Sequence, residues 1–87
     1  MVCYVLKSIG HSFIYIGSTN DLKRRLTEHN EGSNQSTKAF APFEIEAYVA
    51  VNSKYRALAL EKYFKTGSGK AVLKKRILNL VSKLRFT

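Results

Sequence analysis

The chain has 87 residues, of which 45% are apolar. A chain of this size can bury one modest core but not a second core, so we predict a single domain over residues 1–87. Fifteen Lys and Arg residues against six Asp and Glu residues give a formal charge of +9, which favours a polyanionic partner such as nucleic acid. The sequence has no apolar run of the ~18–20 residues that span a bilayer and no secretory signal, which excludes a membrane span and predicts a cytoplasmic protein. It also has no Cys/His cluster, which excludes a zinc finger.

The first two elements in chain order form a predicted β-hairpin. Alternating apolar residues occupy Val2 to Leu6 and Phe13 to Gly17. A two-residue or four-residue loop centred on Ile9-Gly10 would place Tyr4 opposite Tyr15, with both phenols on one face, whereas a three-residue loop would send them to opposite faces. Taken alone, two tyrosines on adjacent strands are also ordinary core residues.

The remaining elements alternate between helical and strand patterns, and cap residues or glycines mark their ends. They are a helix after the N-cap candidates Ser18–Asp21 that closes at Asn30–Gly32, a polar loop from Gly32 to Pro42, a strand from Phe43 to Val51, a helix from Ser53 to about Phe64, a break at Gly67–Gly69, and a helix from Ala71 to about Leu84. This order, ββαβαα, predicts an α/β (α+β) fold in which a small sheet is covered by helices.

The first predicted helix carries an arginine and a histidine beside its apolar stripe. Leu22 and Leu26 should face the sheet, and Arg25 and His29 lie only ~60° round the helix from them, whereas Arg24 points outward. An arginine and a histidine at this spacing could address one phosphate together. The alternative is a solvated basic face with an isolated histidine.

The second helix places a carboxylate within its apolar stripe. Glu61 lies four residues after Ala57 and three before Phe64, so it should face inward. A buried unpaired charge costs several kcal/mol, so Glu61 requires a cation. That cation is either a bound metal or a basic side chain, with Arg25 as the obvious candidate.

Together these residues resemble the GIY-YIG nuclease superfamily. The resemblance rests on Val2-Cys3-Tyr4, on Tyr15-Ile16-Gly17 about ten residues later, on Arg25 and His29, and on Glu61. It extends through Ser18 to Leu26, Ser36-Thr37-Lys38, Ala59 to Lys62 and Gly67-Ser68-Gly69, which is nearly the whole chain. The chain departs from the pattern where Val-Cys-Tyr replaces Gly-Ile-Tyr.

The resemblance implies a three-stranded mixed or antiparallel sheet and a catalytic face that hydrolyses DNA phosphodiester bonds. It implies that the catalytic residues are Tyr4, Tyr15, Arg25, His29 and Glu61, with Glu61 as ligand of one divalent ion, Mg²⁺ or Mn²⁺. Gly17 would avoid crowding the site, and Tyr15 is our preferred base. Ser18 stands where the excision-repair nuclease subunit has a lysine, so Lys38 is a candidate replacement. The charge excess adds Lys65, Lys74 and Lys75 as DNA-binding residues, alongside Lys70, Arg76 and Lys83.

Two other functions fit the composition. One is a nucleic-acid-binding module that needs a separate targeting domain or protein partner in order to cut. The other is a basic adaptor that docks onto an acidic protein or ribosomal RNA. The complete set of candidate catalytic residues favours the enzyme, because neither alternative requires an inward carboxylate.

Overall fold

A computed structural model describes the backbone of residues 1–78 and the side chains of residues 1–75. The elements are β1 (Val2–Ser8), β2 (Ile14–Thr19), α1 (Leu22–Asn30), a 3₁₀ helix (Lys38–Phe40), β3 (Phe43–Ala50), α2 (Lys54–Phe64) and α3 (Gly67–Val72), which continues as a π-helix (Leu73–Leu78). The sheet is antiparallel, with strand order β2-β1-β3. The predicted fold and element order ββαβαα are confirmed, whereas the 3₁₀ helix inside the polar loop was not predicted.

The hairpin register differs from the prediction by two residues. Tyr4 pairs with Gly17 and Leu6 pairs with Tyr15, so the predicted direct pairing of the two tyrosines is wrong. The hairpin closes where the Ser8 amide donates to the Phe13 carbonyl at 2.9 Å, which leaves a four-residue loop centred one position later than predicted. A shift of two residues preserves the face, because side chains alternate with period two, so both phenols still lie on one side of the sheet.

Each face of the sheet has its own apolar cluster. Tyr4, Leu6 and Phe43 form one cluster, against which Leu22 and Leu26 of α1 pack, as predicted. The other face holds the cluster made by Cys3, Val5, Ile16, Phe64 and Leu73, to which α2 and α3 contribute. The sheet therefore separates α1 from the other two helices.

The ends of α1 and α2 follow from their capping residues. Asp21 is the N-cap of α1 and accepts a 3.1 Å hydrogen bond from the Arg24 amide, and Ser53 caps α2 in the same way. After α1 the chain reverses through Gly32, whose φ of +77° favours a residue without a side chain. These boundaries fix Arg25, His29 and Glu61 along their helices.

The third helix begins earlier than predicted. Gly67–Gly69 is its first turn and not a break, because Thr66 caps the helix by accepting from the Gly69 amide at 3.0 Å. A Cβ at Gly69 would overlap the Tyr63 carbonyl, so this glycine allows α3 to pack directly against the end of α2.

The helix predicted from Ala71 to about Leu84 is only partly described. Leu73 is buried, whereas the side chains of Arg76, Ile77, Leu80, Lys83 and Leu84 lie outside the described residues. Within the described part of the chain, no helix has the length and apolar character needed to cross a bilayer.

Candidate active site

The candidate catalytic residues gather around the edge strand β2. Gly17 pairs with Tyr4, and its missing side chain leaves space for that tyrosine. A Cβ at Gly17 would lie 2.5 Å from the Tyr4 hydroxyl oxygen and 3.0 Å from a ring carbon of Tyr15. Any larger residue at Gly17 would therefore displace one of the phenols.

The Tyr4 hydroxyl joins α1 to the sheet. Tyr4 is 1% exposed, and its hydroxyl lies 3.2 Å from Nε2 of His29 and accepts a long hydrogen bond of 3.4 Å from Nε of Arg25. Burial raises the pKa of Tyr4 above its usual value of 10.0, and the hydrogen bond from Arg25 opposes that rise. Tyr4 is therefore protonated at neutral pH.

His29 is fully buried, whereas the sequence predicted a position at the border of the buried face of α1. Its Nδ1 lies 2.8 Å from the hydroxyl of Thr37, which is also fully buried. We assign Tyr4 as the donor to Nε2, because Arg25 already donates to the Tyr4 oxygen, and with this tautomer Nδ1–H donates to Thr37. Burial, and to a lesser extent the charge of Arg25, lowers the pKa of His29, which agrees with a neutral imidazole. The imidazole thus contacts Tyr4 and Thr37 and is shielded from a phosphate at the surface.

Arg25 lies at the opening of the site. Its side chain is 38% exposed, and Nη1 forms a 3.2 Å ion pair with Glu28. A cavity of about 460 Å³ opens beside it, and its lining residues are Arg25, Glu28, His29, Ser33, Asn34 and Gln35. A guanidinium has five N–H donors, so Arg25 keeps donors for a phosphate after its bonds to Tyr4 and Glu28 are counted.

Glu61 approaches β2 from the opposite face of the sheet. Its Oε1 accepts a 2.7 Å hydrogen bond from Ser18, and its Oε2 forms a 2.9 Å ion pair with Lys65. Of the two alternatives for the cation, the basic side chain is present, but it is Lys65, one turn later on α2, and not the candidate Arg25, which pairs with Glu28. Burial raises the pKa of Glu61, but the hydrogen bonds from Lys65 and Ser18 outweigh it and leave the pKa below 4.5.

Tyr15 is the more accessible of the two tyrosines. Its ring centroid lies 4.8 Å from that of His29, and Nζ of Lys65 lies 5.8 Å from the Tyr15 centroid. Lys65 thus bridges the edge of β2, because the same ammonium group contacts Glu61 on one face and the ring of Tyr15 on the other.

The other basic residues singled out from the sequence lie apart from this cluster. Lys38 opens the 3₁₀ helix directly after Thr37 and is exposed, as are Lys74 and Lys75 on the π-helix. Thr37 was not predicted as a site residue, and no role was predicted for Ser18. The only sequence signal for Thr37 was its place in a loop segment shared with the family, since a loop has no periodicity that reveals a buried hydroxyl.

The carboxylate of Glu61 fits a magnesium or manganese ligand. The described part of the chain contains no group of three or more His, Cys, Asp or Glu side chains that could enclose a metal ion. Magnesium sites in nucleic-acid enzymes commonly use only one or two carboxylates, with water and substrate phosphate as the other ligands. A part-exposed carboxylate at the edge of the sheet is compatible with that kind of site.

Comparison with known proteins extends these findings. The model of the GIY-YIG catalytic domain matches residues 1–76. A UPF0213 protein of Bacillus pumilus (strain SAFR-032) is 40% identical over 68 residues, which cover 77% of this chain and 68% of the relative. The UPF0213 protein YazA of Bacillus subtilis (strain 168) is 38% identical over 63 residues, which cover 71% of this chain and 63% of the relative.

A longer relative carries an enzymatic name. The structure-specific endonuclease subunit SLX1 of Paracoccidioides brasiliensis (strain Pb03) is 39% identical over 66 residues, which cover 68% of this chain but only 16% of that protein. No solved structure gives a significant match. The family match over residues 1–76, together with these relatives, shows that the chain belongs to the GIY-YIG family and carries a nuclease domain.

Proposed function

We propose that this domain is a metal-dependent endonuclease that hydrolyses phosphodiester bonds in DNA. The observation that carries the proposal is a set of contacts around β2: Lys65 joins Glu61 to the ring of Tyr15, and Arg25 donates to Tyr4, whose hydroxyl lies next to Gly17. Hydrolysis requires a deprotonated water, neutralisation of charge on the phosphoryl group and protection of the leaving 3′-oxygen. Arg25, Tyr15 and Glu61 can serve these needs from two sides of one bound phosphate.

Each side chain has a distinct role in this proposal. Arg25 binds a non-bridging phosphate oxygen, and its orientation is set by Tyr4 and Glu28. Tyr15 aligns the attacking water, or accepts its proton when the phenol is ionised; its side chain is only half-buried and so can reach that water. Tyr4 is less suited to act as the base, since burial raises its pKa, and it acts with His29 as a positioning residue.

Glu61 is the proposed ligand of one Mg²⁺ or Mn²⁺ ion. When bound, such an ion neutralises phosphate charge and stabilises the leaving oxygen. Lys65 balances the Glu61 carboxylate in the metal-free protein, and we propose that it turns to the DNA phosphate when the metal binds. This gives Lys65 a role as a nucleic-acid ligand in addition to its ion pair.

The relative's name suggests what the substrate and its context are. A structure-specific endonuclease subunit acts on the shape of its substrate and works within an assembly, and this chain aligns with 16% of that protein. We propose that the present domain likewise cuts branched or distorted DNA, in repair, recombination or processing, and that a partner protein or further domain improves its targeting. This work would take place in the cytoplasm.

The test is cleavage of labelled supercoiled plasmid and of a panel of duplex, single-stranded and branched oligonucleotides. We expect nicking with Mg²⁺ or Mn²⁺, none with EDTA, and none by Glu61→Gln. Glu31→Gln is the matched control, because it removes the same charge from an exposed residue at the end of α1. Equal metal-dependent cutting by wild type and Glu61→Gln would overturn the assignment of the site.

A second candidate is a nucleic-acid-binding module that does not cut alone. It is favoured by one observation, namely that Lys65 already engages the carboxylate proposed for the metal. Salt-dependent binding of DNA without cleavage of any substrate in the panel would support it. Restoration of cutting by an added partner would then separate a subunit from an inactive binding domain.

A further inference from the structure

A second cavity, of about 320 Å³, lies at the opposite end of β2 from Ser18. It opens between the hairpin loop and α3, and it is lined by residues from both, among them Lys7, His11, Ile14, Lys70, Leu73 and Lys74. Its volume falls at the lower end of the range of small-molecule sites. None of the candidate catalytic residues lines it.

The walls of this cavity are strongly basic. Lys7 on β1, Lys70 on α3 and Lys74 on the π-helix that continues α3 are all exposed. The ion pairs among described residues are Arg25–Glu28 and Lys65–Glu61, so none of these three lysines is neutralised by one of them. The acidic residue in register with Lys7 on β3 is Glu44, and the two form no ion pair within 4.0 Å. The cavity thus concentrates positive charge.

The floor of the cavity is apolar and reaches the surface. Ile14 is 38% exposed, although it belongs to a strand, and it lies beside the buried residues Ile16 and Leu73. Ile14 offers an apolar surface to a flat aromatic ring. The lysines that line the same cavity offer ammonium groups to anions attached to that ring. This combination matches a nucleotide, whose base has an apolar face and whose 5′ and 3′ phosphates are separate charges.

We infer that the cavity binds one nucleotide of the DNA strand outside the cut phosphodiester, with the base against Ile14 and the flanking phosphates on Lys70 and Lys74. This inference rests on the proposed nuclease function and assigns a contact beyond the catalytic residues. Ile14 and Ser18 are four residues apart on β2, which is roughly 13 Å along the strand. The bound nucleotide would therefore lie toward the far end of β2 from Ser18 and Glu61, to one side of the cut phosphodiester.

The test uses thymidine 3′,5′-bisphosphate as the probe, with the full chain in metal-free buffer. The methyl signals of Ile14 and Ile16 are followed by NMR, and inorganic phosphate serves as the comparison ligand. We expect the bisphosphate to shift both methyl signals and to bind more tightly than phosphate. Lys70→Ala with Lys74→Ala should weaken the bisphosphate at least about tenfold, whereas Lys54→Ala, at an exposed lysine of α2, should not change it.

Two results would overturn the inference. One is that the bisphosphate leaves the Ile14 and Ile16 signals unchanged. The other is that phosphate and bisphosphate shift them equally, because the base would then make no contact. Plasmid nicking is measured separately, so failure of the nuclease proposal can be distinguished. Nicking by a protein whose cavity does not bind the bisphosphate would contradict only this inference. Binding of the bisphosphate without nicking would contradict only the nuclease proposal.

Discussion

Ser18 on β2 and Glu61 on α2 are joined by a 2.7 Å hydrogen bond that spans 43 positions of the sequence. The bond ties the helix that carries the proposed metal ligand to the strand that carries Tyr15. It also fixes which oxygen of the carboxylate faces the sheet, since Lys65 takes the other one.

Glu61→Gln should leave the fold nearly unchanged. The amide oxygen can still accept from Ser18, and the lost ion pair with Lys65 is partly exposed, so the free energy of unfolding should change by no more than about 1 kcal/mol. Thermal melts with and without Mg²⁺ provide the measurement. We expect Mg²⁺ to raise the melting temperature of wild type only, because a metal that binds only the folded state stabilises it. A large loss of stability in metal-free buffer would instead identify a purely structural ion pair.

Arg25→Ala should reduce the cleavage rate far more than the stability. Its side chain is 38% exposed, and its ion pair with Glu28 lies on the surface of α1. Arg25→Lys should restore only part of the rate, because an ammonium group cannot make the paired contacts of a guanidinium. Arg24→Ala is the control, since Arg24 is exposed and next in sequence. Normal cutting by Arg25→Lys would contradict paired phosphate recognition.

Thr37→Val should destabilise the domain through His29. The substitution keeps the shape but leaves the buried Nδ1–H of His29 without its acceptor at 2.8 Å, which should cost about 1–3 kcal/mol in unfolding free energy. Urea denaturation measures this loss. Nitrogen NMR of the imidazole should also show the neutral tautomer changing, an effect that simple loss of packing would not produce. The control is Thr27→Val, because the hydroxyl of Thr27 is exposed.

The buried His29 should make stability fall on mild acidification. Burial lowers its folded-state pKa, so below about pH 6.5, the unfolded value, the unfolded chain binds more protons than the folded one. The contribution of neutral His29 to the free energy of unfolding is therefore fully present above that pH and is lost as the pH falls toward the pKa of the folded state. Melts at pH 7.5 and 5.5 should show this slope in wild type and in His11→Gln, whose histidine is exposed, but not in His29→Gln. An equal slope in His29→Gln would exclude His29 as its source.

Replacing Lys74 and Lys75 by Ala should weaken DNA binding to the same extent whatever the DNA sequence. Both side chains are exposed on the helical segment after α3, where a phosphate contact carries no base information. The logarithm of the binding constant should depend less steeply on the logarithm of salt concentration, by about 0.9 for each lost contact with duplex DNA. Anisotropy titrations at several salt concentrations measure this slope, and an unchanged slope would remove these residues from the interface.

The sequence predicted the elements better than it predicted their contacts. Asp21, Gly32 and Ser53 mark helix ends through local hydrogen bonds and backbone geometry, which depend only on neighbouring residues. The start of α3 was misplaced because glycines usually interrupt helices, whereas Gly69 serves a close approach to Tyr63 that local sequence does not reveal.

The partners of the site residues were harder to predict. The periodicity of α2 correctly predicted that Glu61 faces the sheet. Whether Glu61 pairs with Arg25 or with Lys65 depends on where α1 lies in space. The pairing of Tyr4 with Gly17 depends on a four-residue loop, whose centre the turn residues did not fix. Long-range packing decides both, and no sequence period encodes it.

The contact between Gly69 and the Tyr63 carbonyl also sets a distance. Because no side chain fits there, the corner between α2 and α3 has little freedom to open or close. Lys65 precedes this corner and Lys70 follows it, so the corner sets the spacing of the two backbone positions from which these lysines extend. Enlarging Gly69 would therefore change the spacing of these two backbone positions without altering either lysine.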